Sequence, residues 1–125
     1  MGKISALVVD DEREYVDALS ERLSLRGVEV TGVFNGEEAL AVLESRPMDV
    51  VVLDVMMPGL GGIETLKEMR RRHPRIAVIM LSGHADVATA IEGMELGAFD
   101  YLVKPIDFDE LFYRIEDAAG TEPSD

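Results

Sequence analysis

Apolar positions along this chain switch repeatedly between the short continuous runs of buried strands and the three-to-four spacing of amphipathic helices. Ile4–Val9 is a short run rich in β-branched residues, and Glu14–Leu25 follows it with Val16, Leu19 and Leu23 at helical spacing, closed by Arg26-Gly27. Glu29–Phe34 reads as a second, weaker strand. Asn35 is placed to cap the next helix, with Glu38 completing a capping-box pattern and Ala39, Leu40 and Leu43 on its inner face. Val50–Leu53 is apolar throughout, as expected of a central parallel strand covered on both faces. Ile63, Leu66 and Met69 mark a third helix that stops before Pro74, and Ala77–Leu81 is a fourth strand. Asp86 can cap a fourth helix (86–96), for which Val87, Ala90, Ile91 and Met94 form the expected buried stripe and Gly97 the stop. Tyr101–Val103 is a brief fifth strand. Asp107, with Glu110 three residues on, caps a last helix carrying Phe108, Leu111, Phe112 and Ile115 inside.

Strands alternating with helices throughout imply an α/β fold, a doubly wound five-stranded parallel sheet of (βα)5 type, because parallel strands need crossover connections. Right-handed crossovers bring the C-terminal ends of the strands to one edge, where ligands of open sheets bind at the point of reversed winding. Residues 1–119 read as one domain and 120–125 as a polar tail or the start of a linker. Met69, Met80 and Met94 fall on apolar stripes and read as core filler, while His73 and His84 read as solvent-exposed.

Composition narrows the function. The net charge of −13 repels a phosphate backbone, so nucleic-acid binding by this domain is not expected. There are no cysteines, which removes thiol catalysis, zinc thiolates and disulfides together. No apolar stretch approaches the ~20 residues of a membrane span, and no basic, apolar leader opens the chain. The expectation is a soluble cytoplasmic protein.

The chemistry sits at the strand ends. Asp10 and Asp11 follow the first strand, Asp54 ends the third, Ser82 follows the fourth and Lys104-Pro105 follows the fifth. Adjacent carboxylates repel one another, and a cation is the physical reason to gather them. Three carboxylates and one ammonium leave an excess of negative charge that a divalent ion neutralises, and oxygen-only ligands favour a hard ion such as Mg²⁺. Such an ion beside a Lys and a hydroxyl suits a phosphoryl group. The carboxylate set apart from the pair, Asp54, is the candidate nucleophile.

Four blocks carry a resemblance: Val8-Val9-Asp10-Asp11-Glu12; Val52-Leu53-Asp54-Val55-Met56-Met57-Pro58-Gly59-Leu60-Gly61-Gly62; Met80-Leu81-Ser82-Gly83-His84; and Gly97 through Tyr101-Leu102-Val103-Lys104-Pro105. In order and with helices between them, they resemble the signature of response-regulator receiver domains over essentially the whole chain, from Lys3 to about Ala118. The resemblance implies a flavodoxin-like strand order 2-1-3-4-5. It implies that Asp54 accepts a phosphoryl group from a sensor histidine kinase or phosphotransfer protein. Asp11 and Asp54 would contact Mg²⁺, with Asp10 acting through water and the Met56 backbone carbonyl completing the ligands. Lys104 would pair with a phosphoryl oxygen and Ser82 would hydrogen-bond it. Tyr101 would then change rotamer and alter the surface of the fourth helix, fifth strand and fifth helix. Such a domain is a switch rather than a turnover enzyme, acting on a target protein or an output domain beyond this sequence, with a phosphorylation-dependent dimer left open.

Departures from the pattern are Ser82 in place of the more usual Thr, Gly61 as the cap of the third helix, and a bulky Met56 two residues past Asp54. The fourth helix has no Lys or Arg, unlike receivers that dimerise through alternating charges there. The block from Ser82 to Ile91 is more like receivers attached to ATPase-type transcription activators. Other chemistries fit less well. A flavin carrier needs a hydroxyl-rich loop where Asp10-Asp11-Glu12 stands, a dinucleotide enzyme needs Gly-rich turns, and a haloacid-type phosphatase expects its nucleophile after the first strand. The alternative is a pseudo-receiver, an unphosphorylated interaction module that keeps the acidic edge.

Overall fold

The computed structural model of the protein describes residues 3–57, 61–83 and 86–120. Strands and helices alternate along it: β1 (Ser5–Val9), α1 (Arg13–Leu25), β2 (Glu29–Val33), α2 (Gly36–Ser45), β3 (Val50–Asp54), α3 (Gly62–Arg72), β4 (Ala77–Ser82), α4 (Val87–Glu95), β5 (Asp100–Val103) and α5 (Phe108–Gly120). The strands form a single parallel sheet in the order β2-β1-β3-β4-β5. The winding therefore reverses between β1 and β3, as the resemblance implied.

Strand periodicity divides the core in two. Leu7, Val9, Val51, Leu53, Val78 and Met80 face one side, under Ala39 and Leu43 of α2 and Leu66 and Met69 of α3. Ala6, Val8, Val50, Val52, Ile79 and Leu81 face the other, under Leu19 and Leu23 of α1 and Leu111 and Ile115 of α5. Burial on both faces is why β1, β3 and β4 are apolar without alternation. In β3 and β4 the polar residues, Asp54 and Ser82, come only at the C-terminal end.

Helix boundaries follow local chemistry. Asn35 Oδ1 accepts the Glu38 N–H at 2.8 Å, and Glu38 Oε1 reaches back to the Phe34 N–H at 2.9 Å, one residue before the cap. Asp86 caps α4 by accepting from the Ala88 N–H at 3.1 Å. Gly27, at φ 87, and Gly97, at φ 102, take the left-handed conformation that ends α1 and α4. His73 is half-buried rather than exposed, with Nε2 3.1 Å from a Glu44 carboxylate oxygen. His84 lies outside the described residues, as do the tail positions 121–125, and α5 itself runs to Gly120.

The stripe expected for α4 is overturned. Val87, Ile91 and Met94 are 72%, 54% and 45% exposed, so Met94 is not core filler, and Ala90 is only half-buried. The helix turns Gly93 inward instead, with Leu96 packed on the α2–α3 side of the core. A Cβ at position 93 would stand 2.1 Å from the Met80 methyl carbon, so the helix sits as close as it does because Gly93 has none. Hydrophobic periodicity cannot see a contact face made by glycine. Met69 and Met80 are fully buried, as expected.

Gly62 has the same role at the start of α3, on backbone rather than on a side chain: a Cβ there would meet Val55 Cα at 2.1 Å and the Asp54 carbonyl oxygen at 2.8 Å. Gly62→Ala therefore has to displace α3 from the end of β3, with an expected loss of about 2–3 kcal/mol in urea denaturation. Gly61, the cap, has extended backbone and open space where a Cβ would go. Gly61→Ser is expected to gain a few tenths of a kcal/mol in the same measurement.

Candidate functional site

The register of the sheet assembles the site. Val9 pairs with Leu53, Asp54 with Leu81, and Ser82 with Val103, so the residues that follow these strands emerge within about two positions of one level. Asp10, Asp54 and Ser82 are buried there and Asp11 is exposed. Carboxylate oxygens of Asp10, Asp11 and Asp54 lie within 4.8 Å of one another. The Ser82 carbonyl oxygen accepts the Lys104 N–H at 2.7 Å, which ties the ends of β4 and β5 together just before the cis Lys104-Pro105 bond.

The two buried carboxylates are held alike. Asp10 Oδ1 accepts the Glu12 N–H at 3.0 Å, and Asp54 Oδ1 accepts the Met56 N–H at 2.9 Å. In each case an acidic side chain closes a turn on its own backbone two residues on. The second oxygen is then aimed into the pocket. Lys104 Nζ bonds Asp10 Oδ2 at 2.6 Å and stands 4.0 Å from Asp54 Oδ2. The cation is thus tilted toward Asp10 and away from the candidate nucleophile.

Burial pushes the Asp54 carboxyl up to about 6; the Met56 N–H pulls it down, the Asp10 charge raises it further, and Lys104 opposes that. Burial works to lower the Lys104 pKa, but the hydrogen bond and charge of Asp10, with Asp54 and Glu12, outweigh it and hold the ammonium above its ordinary value. The pocket keeps a protonated lysine beside a carboxyl raised by burial, a setting that favours a cation among its oxygens. The donor set, all oxygen, suits a hard divalent ion.

Tyr101 stands apart from this cluster. Its ring is half-buried on β5, and its hydroxyl oxygen accepts the Asp86 N–H at 3.4 Å, linking β5 to the start of α4. Two residues at the pocket carry no role in the sequence reading. Glu12, exposed at the start of α1, places Oε1 3.2 Å from Lys104 Nζ, and Tyr15 lays its ring 4.4 Å beneath the same ammonium. Burial raises the Tyr15 phenol, against the pull of Lys104. Tyr15 shares the inner face of α1 with Leu19 and Leu23, so its spacing signals only packing, and only the fold shows that Lys104 lies across its ring.

A carboxyl whose pKa is higher folded than unfolded makes the native state lose stability as pH rises from 3.8 through about 6. Asp54→Asn removes that loss while keeping an oxygen for the Met56 N–H. The metal-free variant is expected to be more stable than the parent by about 1–2 kcal/mol at pH 7.5, with the difference vanishing near pH 4, in urea titrations at the two pH values.

Known proteins share this arrangement. A family model described as the response regulator receiver domain matches residues 6–116. The receiver domain of NtrX from Brucella abortus superposes with a TM-score of 0.88 at 36% identity, covering 94% of this chain and 99% of that one. The receiver domain of the Francisella response regulator 1452 does so with a TM-score of 0.87 at 35% identity, covering 94% and 97%. The DNA-binding transcriptional regulator NtrC of Salmonella typhimurium is 40% identical over 111 residues, 89% of this chain but 24% of that protein. The transcriptional regulatory protein CpxR of Klebsiella pneumoniae is 46% identical over 115 residues, 92% of this chain and 48% of that protein. The chain thus spans between about a quarter and about half of the length of these curated relatives. With the strand order, the acidic edge and the lysine all in the positions described, this chain belongs to the response-regulator receiver domain family.

Proposed function

We propose that the protein is a phosphorylatable switch of two-component signalling in which Asp54 is the acceptor. The observation that carries this is the asymmetry of the two buried carboxylates: Lys104 neutralises Asp10 at 2.6 Å and leaves Asp54 Oδ2 at 4.0 Å, buried but not ion-paired at contact distance. The donor is a phosphohistidine of a sensor kinase or phosphotransfer protein. Asp54 Oδ2 forms the new bond to phosphorus as the phosphorus–nitrogen bond breaks and its electron pair returns to the imidazole.

Asp10, Asp11, Asp54 and the Met56 backbone carbonyl would hold Mg²⁺, which when bound offsets the charge of the carboxylates and of the incoming phosphoryl oxygens. The chain's own groups do the rest. Lys104 exchanges its contact with Asp10 for one with a phosphoryl oxygen. The Ser82 hydroxyl, buried at the same edge, donates to another and draws the loop after β4 inward. Tyr101, already joined to Asp86 at the head of α4, changes rotamer as that loop moves. The result is a two-state surface on α4, β5 and α5, biased by one added charged group. The work is switching rather than turnover, with self-phosphorylation and autodephosphorylation the only chemistry. The target is another protein or an output domain, as in regulators of which this domain is a part, and the setting is the cytoplasm. Among the described residues no helix is long and apolar enough to cross a membrane.

Incubation with Mg²⁺ and acetyl phosphate is expected to add one phosphoryl group by intact mass. Asp54→Asn and omission of Mg²⁺ should each abolish the adduct. Lys104→Gln should slow its formation by roughly a hundredfold, the scale of one lost charge-stabilising contact. Ser82→Ala is expected to take the phosphoryl group yet fail to shift the Tyr101 ring resonances. If neither acetyl phosphate nor a phosphorylated kinase transfers to the parent protein, and a beryllium fluoride mimic does not bind, the acceptor reading falls and the pseudo-receiver replaces it.

A further inference from the structure

Lys104 is the cation nearest the carboxylate cluster, and its surroundings are more specific than a salt bridge to Asp10. The ammonium has Asp10 Oδ2 at 2.6 Å, Glu12 Oε1 at 3.2 Å, Asp54 Oδ2 at 4.0 Å and the Tyr15 ring centroid at 4.4 Å. Three carboxylates lie around it, and an aromatic face closes a further side. Only 14% of the Lys104 side chain reaches solvent. Both extra partners come from the first turn of α1: Glu12 is the residue at its cap position but makes no side-chain capping bond, and Tyr15 is one short step further on. The Glu12 carboxylate is therefore committed to Lys104 rather than to the helix end. The Tyr15 ring is held as well, because it is half-buried and packs against the α1–α5 side of the core, at the edge of a small groove that it lines with Leu19, Ile106, Phe108 and Leu111.

We propose that Tyr15 is a positioning residue for Lys104: its ring holds the ammonium over the pocket through the exchange of Asp10 for a phosphoryl oxygen, and shields the aspartyl phosphate from water on that side. The inference rests on the acceptor reading of Asp54 and concerns how fast the site works and how long its product lasts. When Asp10 is engaged by a cation, Lys104 loses its shortest contact. Glu12 is exposed, and on its own would draw the ammonium outward toward solvent. The ring attracts the same charge without supplying a competing negative one, so it keeps Lys104 within reach of Asp54 at no cost in repulsion toward an anionic donor. A phenylalanine would serve equally, since the quadrupole of the ring, not its hydroxyl, does the holding.

Tyr15→Leu removes the ring without changing charge, and Tyr15→Phe keeps it. Tyr15→Met, longer and unbranched, serves if the leucine variant does not fold. The first readout is the NMR shift of the Lys104 methylene protons beside the ammonium, which lie under the ring current. They are expected upfield in the parent and in Tyr15→Phe, and at ordinary values in Tyr15→Leu. The second is kinetic: Tyr15→Leu should slow phosphorylation by acetyl phosphate and shorten the lifetime of the phosphoprotein, each by about threefold to tenfold, the scale of a partly desolvated cation–aromatic contact. Mg²⁺ affinity should stay within about twofold of the parent, because Tyr15 is not among the candidate metal ligands Asp10, Asp11 and Asp54.

Rates in Tyr15→Leu equal to those of the parent would overturn the proposal, as would Tyr15→Phe behaving like Tyr15→Leu, which would transfer the effect to the hydroxyl. A matched fall in Mg²⁺ affinity would also overturn it, by showing a general disturbance of the pocket. Failure of the parent itself to take a phosphoryl group would instead sink the acceptor reading, and the ring-current measurement would still decide whether Tyr15 holds Lys104.

Discussion

The contact between Lys104 and Asp10 is the constraint around which the functional edge is arranged. Asp10 and Asp54 are taken out of water at the end of a sheet, and a buried carboxylate without a partner is costly. One ammonium cannot serve both at contact distance. It closes on Asp10 at 2.6 Å and leaves Asp54 with its pKa pushed up to about 6. The imbalance is a property of the folded chain. It makes the pocket receptive to further positive charge, and it singles out Asp54 as the carboxylate with the most to gain from new chemistry.

That imbalance persists because the scaffold below cannot relax to relieve it. β1 and β3 are packed on both faces and paired to one another in register through Val9 and Leu53. Each acidic side chain is further pinned by the N–H two residues along, from Glu12 and from Met56. Gly62 lets the start of α3 approach the Val55 backbone with no room for a methyl group, so the segment bearing Asp54 is braced from behind. Rigidity at the strand ends contrasts with α4, whose large apolar side chains Val87, Ile91 and Met94 face outward while Gly93 makes the inward contact. Tyr101 connects this helix to β5 through Asp86.

Much of this was legible before any coordinates. Alternating apolar runs located every strand and helix to within a residue or two, since burial on both faces of the sheet leaves no polar position inside β1, β3 or β4. The strand-end positions of Asp10, Asp54, Ser82 and Lys104 marked one edge, because parallel crossovers allow no other arrangement. The inner face of α4 was misread for an equally physical reason. Its Val87, Ile91 and Met94 form a convincing stripe, but close helix approach was achieved by the absence of a side chain at Gly93, and absence has no hydrophobic signal.

The sequence by itself determined the architecture and the charged groups gathered at the strand ends, because those depend on periodicity and on which residues follow each strand. Tertiary structure alone decided how the members share one cation. That Lys104 leans on Asp10 rather than Asp54, that Glu12 turns to it rather than capping α1, and that Tyr15 closes a further side are outcomes of distances of 2.6–4.4 Å between residues about 50 to 94 positions apart in the chain. Electrostatic partition of that kind falls off within a few ångströms, so no one-dimensional pattern carries it.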